Sequence, residues 1–164
     1  MAFPLHPETP EQGQSLEELF AGRPIDINAV LTRLKTAAEE VGLPLTQRNM
    51  TYNSRRATEL GKWAEAMGKG DGYHDAVFRA YFADGLNIAD IDVLKGISRD
   101  TGLDPDAVEE ILGKGIYKKA VDDDWAYSRK TGIRAVPTFL MNGRMVEGAQ
   151  PYEVLKRLVN RERF

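Results

Sequence analysis

Cysteine is absent from the 164 residues. A chain without it offers no thiolate nucleophile, no disulfide and no Cys-ligated zinc. Histidine occurs only as His6 and His74, too few imidazoles for a multi-histidine metal site within one chain. Excess positive charge is lacking too: 22 Lys and Arg against 25 Asp and Glu give a net charge of -3. Displacing counterions from phosphates needs a basic face, so no nucleic-acid partner is expected. No apolar run approaches the roughly 18 residues of a membrane span. The opening MAFPLHPETPEQGQ has neither the basic segment nor the apolar core of a secretion signal. A cytoplasmic chain with no membrane partner is the expectation.

What is present suits a folded domain. With 42% hydrophobic and 29% charged residues, the chain can build a core, and its length suits one unit. Pro4, Pro7, Pro10 and Pro24 predict an extended or irregular lead, interrupted by one short turn where Ser15 and Glu18 are spaced as a capping box. From Asp26, a natural N-cap, Ile27, Val30, Leu31, Leu34, Ala38 and Val41 fall near one helical stripe, which Gly42 and Pro44 stop. Asn53 is read as the cap of a second helix through Leu60 and Met67, ended by Gly68 and Gly70. A third starts near Asp71 or Gly72 and a fourth at Asp90. A fifth has Asp104 as cap and Pro105 in its first position. A sixth runs from Ile116 to about Lys130, closed by Gly132. The period then changes: Arg134 to Gly148 forms two short apolar runs around Asn142-Gly143, a strong hairpin signal. Pro151 opens a terminal amphipathic helix.

Several groupings that resemble catalytic or metal motifs fall away on inspection. His6-Pro7-Glu8 has the histidine and glutamate of a zinc deaminase signature but none of its cysteines. Asp122, Asp123 and Asp124 project about 100° apart on a helix and cannot converge on one ion. The glycines of Met67 to Gly72 fit no phosphate-binding spacing. Trp63, Trp125, Tyr73, Phe78, Tyr81 and Phe82 sit at helical spacing and are expected in the core. No catalytic residue, metal ligand or cofactor motif emerges.

Val136-Pro137-Thr138 stands apart, because a proline at a strand start leaves neighbouring backbone groups free to pair with an extended ligand. At this tripeptide the chain resembles the DsbA-like thioredoxin-fold proteins. The similarity covers Ala135 to Leu155, with its Val-Pro-Thr loop, hairpin and Gly148-Ala149-Gln150-Pro151. It extends upstream through FPLHPETP, TYNSRRATELGKWAE and HDAVFRAYFADGLNIADIDVL. The branch it most resembles is the FrnE-like one, related to 2-hydroxychromene-2-carboxylate isomerases.

The resemblance implies an α/β, mostly helical chain: a partial thioredoxin-like fold across 1–164. Residues 26–131 would form the helical insertion, and residues 1–25 and 132–164 the remnant of the sheet, with a C-terminal hairpin plus helix. It implies that the first strand and the helix carrying Cys-x-x-Cys are missing, a cis Val136-Pro137 bond, and Val136 and Pro137 as substrate-docking residues. The expected function is that of a thiol-disulfide oxidoreductase relative whose chain cannot perform the redox step. The alternative is a non-catalytic module binding a peptide or thiol compound, or assembling with itself. A glutathione-dependent isomerase relative is a weaker third. A lone hairpin exposes an unpaired edge, so a homodimer through residues 2–6 or 137–147 is expected.

Overall fold

The computed structural model describes residues 1–160. Contacts group Pro4–Val121 as one compact unit and Met1–Phe3 with Asp122 onward as a second. By this grouping the proline-rich lead lies with the helical unit, and the end of the sixth predicted helix lies with the hairpin.

In the first unit, local capping chemistry sets most of the boundaries. Ser15 and Glu18 form the predicted capping box, the Glu18 amide donating to Ser15 Oγ at 3.0 Å and the Ser15 amide to Glu18 Oε2 at 2.9 Å. The Ser15 amide thereby holds the Glu18 carboxyl below its usual range. This box starts α1 (Leu16–Leu19). Asp26 caps α2 (Ile27–Glu40) by accepting from the Ala29 amide at 3.0 Å. At the far end the Gly42 amide donates to the Glu39 carbonyl and the Leu43 amide to the Ala38 carbonyl. Gly42 has φ 69°, the left-handed conformation that this termination requires. Unforeseen in the sequence is a two-residue sheet, β1 (Gln14–Ser15) against β2 (Met50–Thr51), antiparallel. No strand forms in residues 1–8.

Helix α3 (Arg55–Ala66) begins two residues after Asn53. Asn53 does not sit at the N-cap itself. Its Oδ1 accepts from the Arg55 amide at 2.8 Å, and its Nδ2 donates to the carbonyls of Pro7 and Thr9, tying the lead to the helix start. Helix α4 (Gly70–Phe78) starts at a glycine that the sequence placed in the preceding stop, and runs into a π-helical turn, Arg79–Ala83. Asp90 caps α5 (Ile91–Asp100) through Asp92 and Val93. Helix α6 (Ala107–Gly113) begins later than predicted: the Asp104 carboxylate accepts from the Asp106 amide at 3.0 Å, and Asp106 holds the N-cap position. Helix α7 (Lys118–Lys130) begins in this unit and continues in the other.

The core of this unit gathers Leu60, Trp63, Tyr73, Leu94, Val108 and their neighbours. Trp63 and Tyr73 are buried as expected, but Phe78 is 60% exposed and Tyr81 and Phe82 are half-buried. The π turn adds a residue to the helical repeat and shifts Tyr81 and Phe82, which lie within it, relative to a regular α-helix.

The Tyr73 hydroxyl is buried with no hydrogen-bond partner among the described residues, and burial pushes the phenol well above its ordinary value. Ionisation then favours the unfolded chain, so stability intact below the unfolded phenol's pKa of about 10 falls progressively as pH rises from there toward the raised folded-state value. Wild type is expected to lose about 1.4 kcal/mol per pH unit above about pH 10 relative to Tyr73→Phe. At pH 7 the variant, freed of an unsatisfied hydroxyl, is expected to be at least as stable. Denaturant melts of both proteins from pH 7 to 11 check this.

In the second unit α7 is terminated through Gly132 (φ 75°), two residues past its end, with the Ile133 amide donating to the Ser128 carbonyl at 3.0 Å. Strands β3 (Thr138–Met141) and β4 (Arg144–Glu147) form the hairpin, and α8 (Tyr152–Asn160) follows and packs on β3. Asn142 and Gly143 have φ 50° and 77°, as the predicted two-residue turn demands. Among the described residues no helix is long and apolar enough to cross a membrane.

Candidate functional site

The turn sets the geometry of the hairpin. Met141 faces Arg144, Leu140 faces Met145, Phe139 faces Val146 and Thr138 faces Glu147. In an antiparallel ladder every second pair exchanges hydrogen bonds, and the residues between point their backbone groups outward. A two-residue turn makes its flanking pair, Met141 and Arg144, a bonded one. The Gly148 amide, donating to the Pro137 carbonyl at 2.8 Å, continues the same parity. Pro137, Phe139 and Met141 therefore turn toward β4, and Val136, Thr138 and Leu140 present their amides and carbonyls on the outer edge of β3. That edge is unpaired among the described residues.

Val136 and Pro137 lie at its start. The bond between them is cis, Val136 is 47% exposed, and neither its amide nor its carbonyl has a partner among the described residues. The Thr138 hydroxyl donates to the Ala135 carbonyl at 2.6 Å, which orders the loop before the strand. The other edge is less open. On β4 the Glu147 carbonyl accepts from Gln150 Nε2 at 2.6 Å. Phe139, Leu140, Met141 and Met145 are all exposed, and strand alternation puts them on both faces of the hairpin. The arrangement can bind an extended backbone by strand addition, with apolar side chains alongside.

Sequence reasoning named Val136 and Pro137 but missed Thr138 and Leu140. The signal was available: a two-residue Asn-Gly turn fixes the parity of the ladder, and parity decides which residues face outward. Of the discarded groupings, His6 and Glu8 come together as a pair, and Asp124 serves the chain start. His6 Nδ1 lies 3.6 Å from Glu8 Oε1. Asp124 Oδ2 accepts from the Ala2 amide at 2.7 Å. No cluster of three or more His, Asp or Glu able to hold a metal occurs among the described residues.

In the helical unit a cleft of about 500 Å³ is lined by Arg55, Arg56, Glu59, Glu11 and Lys118 among others. Its charges serve one another: Arg55 Nε donates to Glu59 Oε1 at 2.5 Å, Arg55 also reaches the Lys118 carbonyl, and Arg56 pairs with Glu11 at 2.8 Å. Polar groups committed to neighbours in this way hold the fold together more readily than they receive a ligand.

A family model described as a DSBA-like thioredoxin domain matches residues 1–160. The uncharacterized protein YwbO of Bacillus subtilis is 27% identical over 134 residues, covering 80% of this chain and 67% of its own length. Among solved structures, one from Streptomyces coelicolor described as a probable DsbA oxidoreductase superposes with a TM-score of 0.85. It is 25% identical and spans 94% of this chain and 70% of its own. A 2-hydroxychromene-2-carboxylate isomerase gives a TM-score of 0.72 at 23% identity, over 82% of this chain and 66% of that one, a likeness of fold alone.

Proposed function

We propose, since the chain belongs to the DSBA-like thioredoxin domain family, that these 164 residues supply the docking half of an oxidoreductase fold and not its redox chemistry. Thiol exchange needs a thiolate, and the chain holds no cysteine. The ligand is an extended peptide segment or a small thiol peptide, taken by the outer edge of β3 with Val136 and Pro137 at its head.

The observation that supports this reading is the free backbone of Val136 at the start of an unpaired edge whose parity also exposes Thr138 and Leu140. Strand addition uses such groups for affinity and flanking side chains for selectivity. The alternative, an assembly module in which a second copy occupies the same edge, rests on the same geometry. A glutathione-dependent isomerase relative has only the fold likeness behind it.

Titration of isotope-labelled protein with a short extended peptide or reduced glutathione, followed by amide chemical shifts, tests the proposal. Shifts are expected at Val136, Thr138 and Leu140, with smaller ones at Met145 and Glu147. Shifts on the β4 edge instead, or none at millimolar ligand, would overturn it. Turnover of 2-hydroxychromene-2-carboxylate would favour the isomerase reading.

A further inference from the structure

Helix α2 is fourteen residues long and buries none of them. Its apolar positions Ile27, Val30, Leu34, Ala37 and Val41 follow one another at three, four, three and four residues, the spacing of a coiled-coil seam. Ile27, Leu34 and Val41 occupy one seam position, and Val30 and Ala37 the other. On one flank of this seam lie Leu31 and Ala38, both half-buried; Leu31 and Ile27 line a cleft with Leu16 and Asn49. The other flank carries Arg33 and Glu40. Ile27 and Val30 are half-buried, and the C-terminal part of the seam is open: Leu34 is 47% exposed and Val41, at the C-cap, 67%.

Beyond the Asp26 cap and one pair, the charges on α2 do not serve the isolated helix. Neither acid in its first turn nor base in its last complements the helix dipole, and Glu39 and Glu40 sit at the C-terminal end, where negative charge is disfavoured. Glu39 has a local partner in Lys35 at 3.8 Å. Glu40 and Arg33 have none among the described residues, and, seven residues apart, they cannot reach each other along one helix.

We infer that the open face of α2 is a self-association surface, on which a second copy of this chain packs its own α2 antiparallel about a two-fold axis. In that arrangement Leu34 of one copy meets Ala37 of the other and Val30 meets Val41, closing the seam in layers. The same register sets Arg33 of each copy beside Glu40 of the other, so one two-fold axis forms two ion pairs. A parallel pair would face Arg33 with Ala38 and leave both charges unmatched. Charge complementarity therefore selects the occupant and its direction. The helix is only about 21 Å long, and a seam of that length falls short of the about 1,200 Å² of a standard interface. The dimer is accordingly weak, with a dissociation constant of about 10–100 µM.

Sedimentation velocity from about 5 to about 500 µM, with helical content checked by circular dichroism, tests this on the whole chain. Wild type should pass from monomer to dimer across that range. Arg33→Glu or Glu40→Arg alone turns both pairs repulsive and should weaken dimerisation about tenfold or more, while the double exchange should restore it. Both side chains are exposed, so the monomer fold should be unchanged. A chain monomeric at every concentration would overturn the inference. So would a dimer indifferent to both reversals, which would place the contact elsewhere, for instance on the hairpin edge. Failure of the double exchange to rescue would overturn the register and direction.

Discussion

Insulin reduction and dithiol oxidation in the presence of the purified 164-residue chain are expected to proceed at the rate of buffer alone. The reaction needs a thiolate to attack a disulfide sulfur and a second thiol to resolve the mixed disulfide. With no cysteine among the 164 residues, neither partner can come from this polypeptide. Hydroxyls such as Thr138 do not substitute, since their oxygens form no such mixed intermediate. The expected effect is a complete loss relative to a Cys-x-x-Cys member of the family. The assay requires material freed of host oxidoreductases, checked by mass spectrometry. Turnover persisting in such material would sink the redox-inactive reading while leaving the docking proposal, which is measured by amide shifts, to stand or fall separately.

Leu60→Ala is expected to lower the unfolding free energy of the helical unit by about 2–5 kcal/mol. Leu60 is fully buried and clustered with Trp63, Tyr73 and Leu94. Truncation removes its transfer free energy and leaves a cavity that surrounding helices fill only in part. A domain's whole stability is about 5–15 kcal/mol, so the change is a large fraction of it. Met67→Ala, at an exposed position just past the end of α3, should stay within about 0.5 kcal/mol. Urea melts followed by Trp63 fluorescence in a Trp125→Phe background report on this unit. The midpoint should fall with the slope unchanged. A loss below about 1 kcal/mol for Leu60→Ala would show that the cluster does not form the core.

The sequence by itself determined the chemistry this chain lacks and the local punctuation of its fold. With no cysteine among the 164 residues, these residues supply no thiol of their own whatever the tertiary structure. Ser15 with Glu18, Asp26 and Asp90 cap helices through bonds that span two or three residues, and Asn142-Gly143 turns the hairpin through its own φ angles. Such features depend on a handful of neighbouring atoms, so they can be read from neighbouring letters. At Asn53 and Asp104, read as caps, the helix start lies a residue or two further on, with Ser54 and Asp106 at the N-cap positions.

What depends on distant parts of the chain was decided only by the tertiary structure. The pairing of Gln14 with Thr51 joins segments far apart in sequence, and no local pattern marks a two-residue strand. Phe78, at the end of α4, is left in solvent, although periodicity alone puts it with the core aromatics. Helix α2 has the apolar stripe of a buried helix, yet none of its residues is buried. Its composition says that the face prefers to be covered; only the packing of the rest of the chain shows that its own residues leave it open. The same division holds at the hairpin. The tripeptide Val136-Pro137-Thr138 was legible as letters, but the free amide and carbonyl of Val136 follow from which strands pair and which do not. Burial and pairing are properties of the assembled chain, because each is set by atoms that the sequence places far away and the fold brings near.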